Sequence, residues 1–273
     1  MSDILLTDTS LLYLRKVRLT IASLVGSPTL IEKLRINFDV TKTNESNPNR
    51  SKIEVYNLSE QTRSLFEDKK TRLVLEAGYV NTVATIFQGN ITKAYHKRDG
   101  TDIITTAELG DGDNRYRNAR MDKGFPPGIS ADQVIKDISD ELGLPISSKK
   151  GVPNFKYANG LALSSVVRNH LDMLAAKFNF EWSIQDETLQ IIPRGEGTDD
   201  GIILISSSSG LVGSPSKVDK GVEFETLLMP TLRPGRRVQL ESKFVNGIFK
   251  LRTVAHVGDS HTGTFRSKNE ATI

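Results

Sequence analysis

Apolar and polar side chains alternate with a period of two along most of the first part of the chain. This alternation places one face of a strand against a core and the other face in water. The pattern occurs at residues 16–21, 34–40, 51–56, 72–77, 85–95 and 102–109. The first ~115 residues therefore predict a mostly antiparallel sheet that is curled enough to enclose a core.

The period changes to that of a helix in the middle of the chain. Ser130 and Gln133 form a capping box, and Gly143 supplies a stop signal. The predicted buried stripe of this helix is Val134, Ile135, Ile138 and Leu142. A second helix is predicted from about Ser164, followed by a hairpin of strands at residues 180–184 and 189–192. This part of the chain predicts a small α+β module.

Strand patterns return after a stretch rich in Gly, Ser and Asp. They cover residues 222–228, 237–242 and 247–256, and Asn246-Gly247 is a hairpin signal. The order is β region, α+β module, β region. We expect a first domain at residues 1–120, an insert at 121–196 and a second β domain at 197–273, completed by strands from elsewhere in the chain.

Two stretches of the β regions have nearly the same sequence. LEAGYVN (residues 75–81) and LESKFVN (residues 240–246) match without a gap, and each is followed by Ile-Phe. Hairpins of unrelated β proteins share composition, so coincidence is one explanation. The other is a duplicated small barrel, which predicts that Asn81 and Asn246 occupy matching hairpin turns.

Composition narrows the classes of function. The chain has 273 residues, no cysteine, a net charge of +3, and 37% hydrophobic and 25% charged residues. These values fit a folded globular protein and exclude disulfides and thiolate chemistry. Apolar runs such as Ile202–Ile205 are far shorter than the ~20 residues of a membrane span. The first residues lack the basic region of a signal peptide, so we expect a protein made in a cytoplasm.

Three groups of polar residues are candidate binding sites. His256, Asp259 and His261 could offer metal ligands, but a solvated turn is the favoured interpretation. Residues 110–114 resemble the start of a calcium loop, yet Tyr116 stands where an EF-hand requires glycine.

The third group is basic. The stretches 69–72 and 233–237 could touch phosphate. A nucleic-acid barrel would interleave such groups with exposed aromatic side chains. Alternation instead predicts core positions for Tyr79, Phe87, Phe244 and Phe249.

No catalytic motif is present in the sequence. It contains no nucleophile elbow, no P-loop and no dinucleotide fingerprint, and the serine run at residues 206–209 lacks a partner base. We therefore predict no catalytic, cofactor-binding or metal-binding residues and no cofactor. A pair of carboxylates brought together in space, as in a glycosidase, stays open as an alternative.

Three segments in this order resemble the baseplate hub proteins of contractile-tailed bacteriophages. That family is related to the late-control D family and to the N-terminal part of type VI secretion spike proteins. The segments are NRSKIEVYNLSEQTRSLF at residues 49–66, the module from SADQVIKDISDELGLPI to TLQIIPRG, and TLLMPTLRPGRRVQLES with GIFKLRTVAHVGDSHTG near the end. The resemblance covers nearly the whole chain.

The resemblance implies a mainly β, non-enzymatic protein with two small antiparallel tail-tube-like β-barrels flanking the α+β insert. It implies a homotrimeric ring in the virion tail baseplate, assembled in the host cytoplasm. This ring would adapt a hexameric tail tube to a trimeric spike. The implied partners are the tube or tube-initiator protein, the spike, the tape-measure protein and other baseplate proteins, with DNA only as passing cargo and no stable membrane association.

Three other functions stay open from the sequence. The chain could be another baseplate component, such as a tube-initiator or tail-tube-like protein, although the α+β insert favours the hub. The chain could be a baseplate cell-wall hydrolase, which requires a carboxylate pair in a pocket. It could also be a nucleic-acid-binding β-barrel, which requires a DNA affinity that depends steeply on salt.

Overall fold

The computed structural model describes residues 5–6, 14–22, 27–45, 49–110 and 118–273, with only the backbone of residues 5–6 and Arg50. The calcium-like residues 111–114 lie outside these ranges. The first β region contains β1 (Leu5–Leu6), β2 (Arg15–Ala22), β3 (Thr29–Ile31), β4 (Ile36–Thr43), β5 (Arg50–Tyr56), α1 (Glu60–Ser64), β6 (Arg72–Tyr79), β7 (Ala84–Asp99) and β8 (Asp102–Gly110).

The middle module and the last β region follow in the order that the sequence predicts. The module contains β9 (Arg120–Phe125), β10 (Ile129–Ser130), α2 (Ala131–Leu142), β11 (Ile146–Lys149), β12 (Lys156–Tyr157), β13 (Leu161–Val166), α3 (Val167–Phe178), β14 (Phe180–Gln185) and β15 (Thr188–Pro193). The last region contains β16 (Ile202–Ser206), β17 (Leu211–Val218), β18 (Gly221–Leu227), β19 (Arg237–Glu241), β20 (Asn246–Asp259) and β21 (Phe265–Thr272). The prediction of a mainly β protein is confirmed, with 56% strand and 12% helix.

Both β regions belong to one 14-stranded sheet. Its path is β1-β16-β19-β20-β4-β5-β8-β7-β6-β2-β3, and β17, β18 and β21 branch from β20. The C-terminal half of β20 joins the two regions, because Thr253–Asp259 pairs antiparallel with β4. Within the described ranges this path is open at both ends, so no closed barrel is detected. The two-barrel arrangement stays a prediction.

Three apolar cores follow the three parts of the chain. The first region and the last region each have a core, and the module has its own. The first core also takes in Leu228 and Phe265 from the last region. The Phe265 ring makes edge contacts with Phe38 and Tyr79, at centroid distances of 6.0 and 5.5 Å. The two β regions are therefore joined by shared apolar packing as well as by strand pairing.

The helices of the module begin and end where local chemistry allows. The Ser130 hydroxyl accepts a hydrogen bond from the Gln133 amide at 3.2 Å, and Gly143 ends α2 in a left-handed conformation with φ of 62°. The predicted stripe of α2 is buried. The predicted start of α3 at Ser164 was wrong, because β13 extends to Val166 by pairing with β9.

The structure corrects the interpretation of the repeated heptapeptide. Both copies lie in a hairpin that joins a strand to a longer one, β6 to β7 and β19 to β20. Asn81 lies in its turn, whereas Asn246 is already the first residue of β20 and pairs with Glu241. Tyr79 is buried, but Phe244 is 66% exposed in the turn, so its predicted core position was wrong. Each copy therefore lies in a hairpin, but Asn81 and Asn246 do not occupy matching positions in it.

Gly258 lies where the two β regions meet, and there is no room for a side chain at this position. A Cβ atom at this residue would lie 2.4 Å from Phe38 Cζ and 2.8 Å from Phe265 Cδ2. Both rings are buried, so neither can turn away into solvent. We expect Gly258→Ala to destabilise the protein by about 1–3 kcal/mol through overpacking, measured by denaturant unfolding.

Gly124→Ala is the matched control, since a Cβ at this exposed residue of β9 would meet no atom within 4 Å. Equal stability of the Gly258 variant and the wild type would contradict the tight junction.

Candidate assembly surfaces

The module is attached to the sheet through the tip of its β14–β15 hairpin. Asp186 and Glu187 form the turn with φ of 51° and 59°, the positive values that a tight two-residue hairpin turn requires. Both carboxylate oxygens of Asp186 lie 2.6 Å from Lys42 Nζ on β4. Lys42 is only 2% exposed and Asp186 is 17% exposed, so this ion pair is largely out of water. A buried lysine requires such a partner.

Polar contacts along the hairpin continue this attachment. Gln185 Nε2 donates to the Thr43 carbonyl at 2.7 Å, and Asn49 Nδ2 donates to the Ile184 carbonyl at 3.0 Å. On the other side, Lys250 Nζ of β20 lies 2.7 Å from Glu181 Oε2. Because the two donors fit backbone carbonyls at fixed positions, these contacts define the register of the module on the sheet.

A buried histidine lies beside this attachment point. His256 on β20 is 1% exposed, and its Nδ1 lies 2.8 Å from the Ser267 hydroxyl, which itself accepts from the Met229 amide. The Ser267 hydroxyl thus pairs with the imidazole as well as with the Met229 amide. Burial, with smaller contributions from the nearby cations Lys42 and Arg233, lowers the His256 pKa from 6.5 to about 3. The imidazole is therefore neutral at physiological pH.

The candidate metal ligands do not converge. His256 is held inside the sheet, while Asp259 accepts from the amides of His261 and Thr262 and forms an ion pair with Arg35 at 2.7 Å. Burial acts to raise the Asp259 pKa, but the hydrogen bonds from Arg35 and the two amides together outweigh it and keep this pKa below its ordinary value. Across the described ranges, no group of three or more metal-ligating side chains lies together.

The basic stretches also separate in space. Arg72 pairs with Glu187 of the module hairpin. Arg236 donates to the carbonyls of Thr231 and Asp200, so its role is to hold a loop. Lys69 and Lys70 are exposed in a turn.

A groove of about 680 Å³ on the outer face of β18 and β21 contains two facing glutamates. Glu223 and Glu270 are directly opposite on these strands, and Glu270 accepts from the Thr253 hydroxyl at 3.1 Å. Both side chains are exposed, so this pair lacks the apolar enclosure that raises the pKa of a catalytic acid.

The strands near the edges of the sheet are short or irregular, or have backbone groups that are hydrogen-bonded by a nearby side chain. β3 has three residues, and β17 contains Pro215 and a shift of register between Val212 and Ser216. On β16 the Ser209 hydroxyl accepts from the Ser206 amide and donates to the Leu204 carbonyl, both at 2.8–2.9 Å. These devices limit uncontrolled pairing with another chain. The serine run, which carries no catalytic motif, thus has a structural role at the end of β16.

The hairpin ends expose apolar side chains instead. Val80 in the β6–β7 turn is 56% exposed, and Phe244 and Ile248 at the β19–β20 hairpin are 66% and 50% exposed. None of the helices in the described part of the chain is long and apolar enough to cross a membrane. The candidates for a role in assembly are therefore the exposed hairpin turns and the contacts that attach the module to the sheet.

Comparison with known proteins identifies the family. A family model described as "Baseplate hub gp41" matches residues 14–270. The chain belongs to this baseplate hub family. Membership confirms the resemblance found in the sequence and makes the protein a structural component of a phage tail baseplate, not an enzyme. A search of curated proteins found no significant match.

Solved structures of tail proteins share the fold at low identity. The 43 kDa tail protein of prophage MuSo2 from Shewanella oneidensis has a TM-score of 0.68 and 7% identity, covering 95% of this chain and 96% of its own. A tail protein from Neisseria meningitidis MC58 has a TM-score of 0.61 and 10% identity, covering 96% and 97%.

A third similar structure comes from a secretion system. The E. coli c3393 protein has a TM-score of 0.62 and 10% identity, covering 93% of this chain and 76% of its own. It is described as a component of the type VI secretion system with structural similarity to the T4 bacteriophage tail proteins gp27 and gp5. At this identity the likeness concerns the fold.

The buried ion pair of the hub module gives a direct test of the attachment. Asp186→Asn keeps a residue that tolerates positive φ but leaves Lys42 buried without an anion. We expect a loss of about 3–5 kcal/mol in the free energy of unfolding, measured by denaturant titration.

Glu187→Gln in the same turn is the control. Glu187 pairs with Arg72, whose side chain is 44% exposed, so its loss is expected to cost only about 0–1 kcal/mol. Similar costs for the two variants would show that the Lys42 pair is not a buried constraint.

His256 predicts a loss of stability in mild acid. Because its folded pKa of about 3 lies below the unfolded value of 6.5, the unfolded chain binds the proton first. The contribution is complete above pH 6.5 and decreases as the pH falls toward 3, by at most ~1.4 kcal/mol per pH unit. We expect His256→Asn to be less stable at neutral pH but to show a shallower decline between pH 6.5 and about pH 4.5.

The exposed His261→Asn variant is the control and should retain the wild-type slope. Unfolding curves at several pH values measure both. Parallel declines of wild type and His256→Asn over this range would contradict the assignment.

Proposed function

We propose that this hub protein forms a homotrimeric ring that adapts a hexameric tail tube to a trimeric spike. In this proposal residues 1–120 and 197–273 supply two tube-like units per chain, and residues 121–196 form the insert between them. Three chains would offer six such units to the tube above and threefold symmetry to the spike below.

The observation that carries the proposal is the presence of two β regions, each with its own apolar core, joined in one sheet by β4 and β20. A single chain with two rigidly joined β units is suited to match a ring of twice as many subunits. Family membership and the fold shared with tail proteins support the same function. The secretion-system relative with similarity to tail proteins gp27 and gp5 supports contact with a spike.

The remaining partners follow from the position of such a ring. It would contact the tube or its initiator protein, the tape-measure protein and other baseplate proteins. DNA would pass through the ring as cargo. The protein would assemble in the host cytoplasm and remain in the virion.

Two measurements test the proposal. Native mass spectrometry of the purified protein should give three times the mass of one chain. Electron cryomicroscopy of particles should place the chain between tube and spike with threefold symmetry. A monomer that persists at high concentration and a different position in the particle would overturn the proposal.

A further inference from the structure

One lysine of the module lies over three aromatic rings. Lys177 Nζ is 4.5 Å from the ring centroid of Phe155, 4.2 Å from that of Tyr157 and 5.2 Å from that of Phe178. The rings also contact one another, with centroid distances of 5.0, 5.3 and 6.5 Å. The ammonium group is thus fixed by ring faces, an arrangement that attracts a cation electrostatically.

In the part of the chain that the structure describes, no carboxylate pairs with Lys177. Asp172 of the same helix accepts instead from the Trp182 indole nitrogen at 2.9 Å. Among the described residues the Tyr157 hydroxyl is likewise buried without a hydrogen-bond partner. Burial raises the Tyr157 pKa, so this hydroxyl stays protonated.

The surroundings of the lysine are apolar and reach the surface. Phe155 is 37% exposed and Met173 is 44% exposed. Met173 and Lys177 are four residues apart on α3, so they share one face of the helix. We name this surface the Lys177 patch, formed by Phe155, Tyr157, Met173, Lys177 and Phe178.

We propose that the Lys177 patch is a docking surface for a segment of a partner protein that carries a carboxylate next to an apolar side chain. The carboxylate pairs with Lys177, and the apolar side chain covers Phe155 and Met173. This inference deepens the proposed hub function, because it names a surface of the insert that meets another baseplate component. Aromatic side chains and methionine, which form the apolar part of the patch, are enriched at protein interfaces.

Charge favours a protein segment over a polyanion. A nucleic acid or an anionic membrane is held by several cations spread along its phosphates. Here a single cation is surrounded by rings. The patch therefore fits one carboxylate with an apolar neighbour.

Met173 provides a built-in reporter for the test. The chain has four methionines, and Met121 and Met229 are buried at 5% and 1% exposure. Full-length protein labelled with ¹³C at the methionine methyl groups is titrated with N-acetyl-Phe-Glu-amide and with its uncharged analogue N-acetyl-Phe-Gln-amide. We expect the Met173 methyl signal to shift saturably, with the glutamate peptide bound about threefold to fivefold more tightly.

Variants separate docking from a purely structural role. Lys177→Gln should remove the preference for the glutamate peptide, and Lys177→Arg should retain it. Lys156→Gln, at an exposed lysine on the strand that carries Tyr157, is the matched control and should leave the preference unchanged. A lysine that only shields the rings would change stability in Lys177→Gln without any difference between the two peptides in the wild type.

Three results would overturn the proposal. They are equal affinity for the two peptides, a shift of Met121 or Met229 in place of Met173, and a response only to vesicles of anionic phosphatidylglycerol. Peptide binding does not require a trimer, so its failure leaves the hub proposal intact. Conversely, a monomeric protein that binds the glutamate peptide would refute the ring and keep the patch.

Discussion

The antiparallel pairing of β4 with β20 brings the two β regions and the module together at one place in the fold. Seven residue pairs join Thr253–Asp259 to β4, and Val254 lies directly opposite Lys42. On the same face, His256 lies opposite Val40. The strand pair thus carries both the lysine that binds the module and the histidine that must stay neutral. The pairing thus links cores that are built mainly from separate segments of the chain.

The two junctions at this point differ in chemistry. The β regions meet through apolar packing of Phe265 against Phe38 and Tyr79, and Gly258 leaves space for the rings. The module meets the sheet through the Lys42–Asp186 pair and directional hydrogen bonds. Apolar burial supplies most of the free energy of association, whereas buried polar pairs add little stability but restrict geometry. The sheet is therefore the stable body, and the module is held on it in a defined orientation.

Local signals in the sequence predicted local structure well. The Ser130 cap, the stripe of α2 and the β14–β15 hairpin depend on neighbours a few residues apart, and all three are present. The predicted core position of Phe244 was wrong because the alternation of apolar and polar residues does not reveal where a strand ends. The Ser242 hydroxyl donates to the Val245 carbonyl and accepts from the Val245 amide. These bonds close the turn before Asn246, so Asn246 is already part of β20.

Contacts between distant segments were beyond reach of the sequence. The burial of Lys42 depends on Asp186, which is 144 residues away, and a lysine on an alternating strand predicts a solvated face. The spacing of His256, Asp259 and His261 offers metal ligands in the sequence, whereas the fold pairs His256 with Ser267 of another strand. The resemblance to a family carried the functional prediction, while the attachment points became visible only in the fold.

The edges of the sheet constrain how copies of this hub can meet. Pairing of a foreign strand at β16 would first have to displace β1 from Ile202 and Ile203 and release Ser209 from Leu204 and Ser206. The β17 edge offers Pro215, which has no amide proton, beside a break in register. An isolated chain is thus protected against indiscriminate edge pairing, and a neighbour that does add a strand must compensate for the contacts it breaks. Side chains on the turns and on the module can be contacted without breaking such bonds, which favours them as the first contacts in assembly.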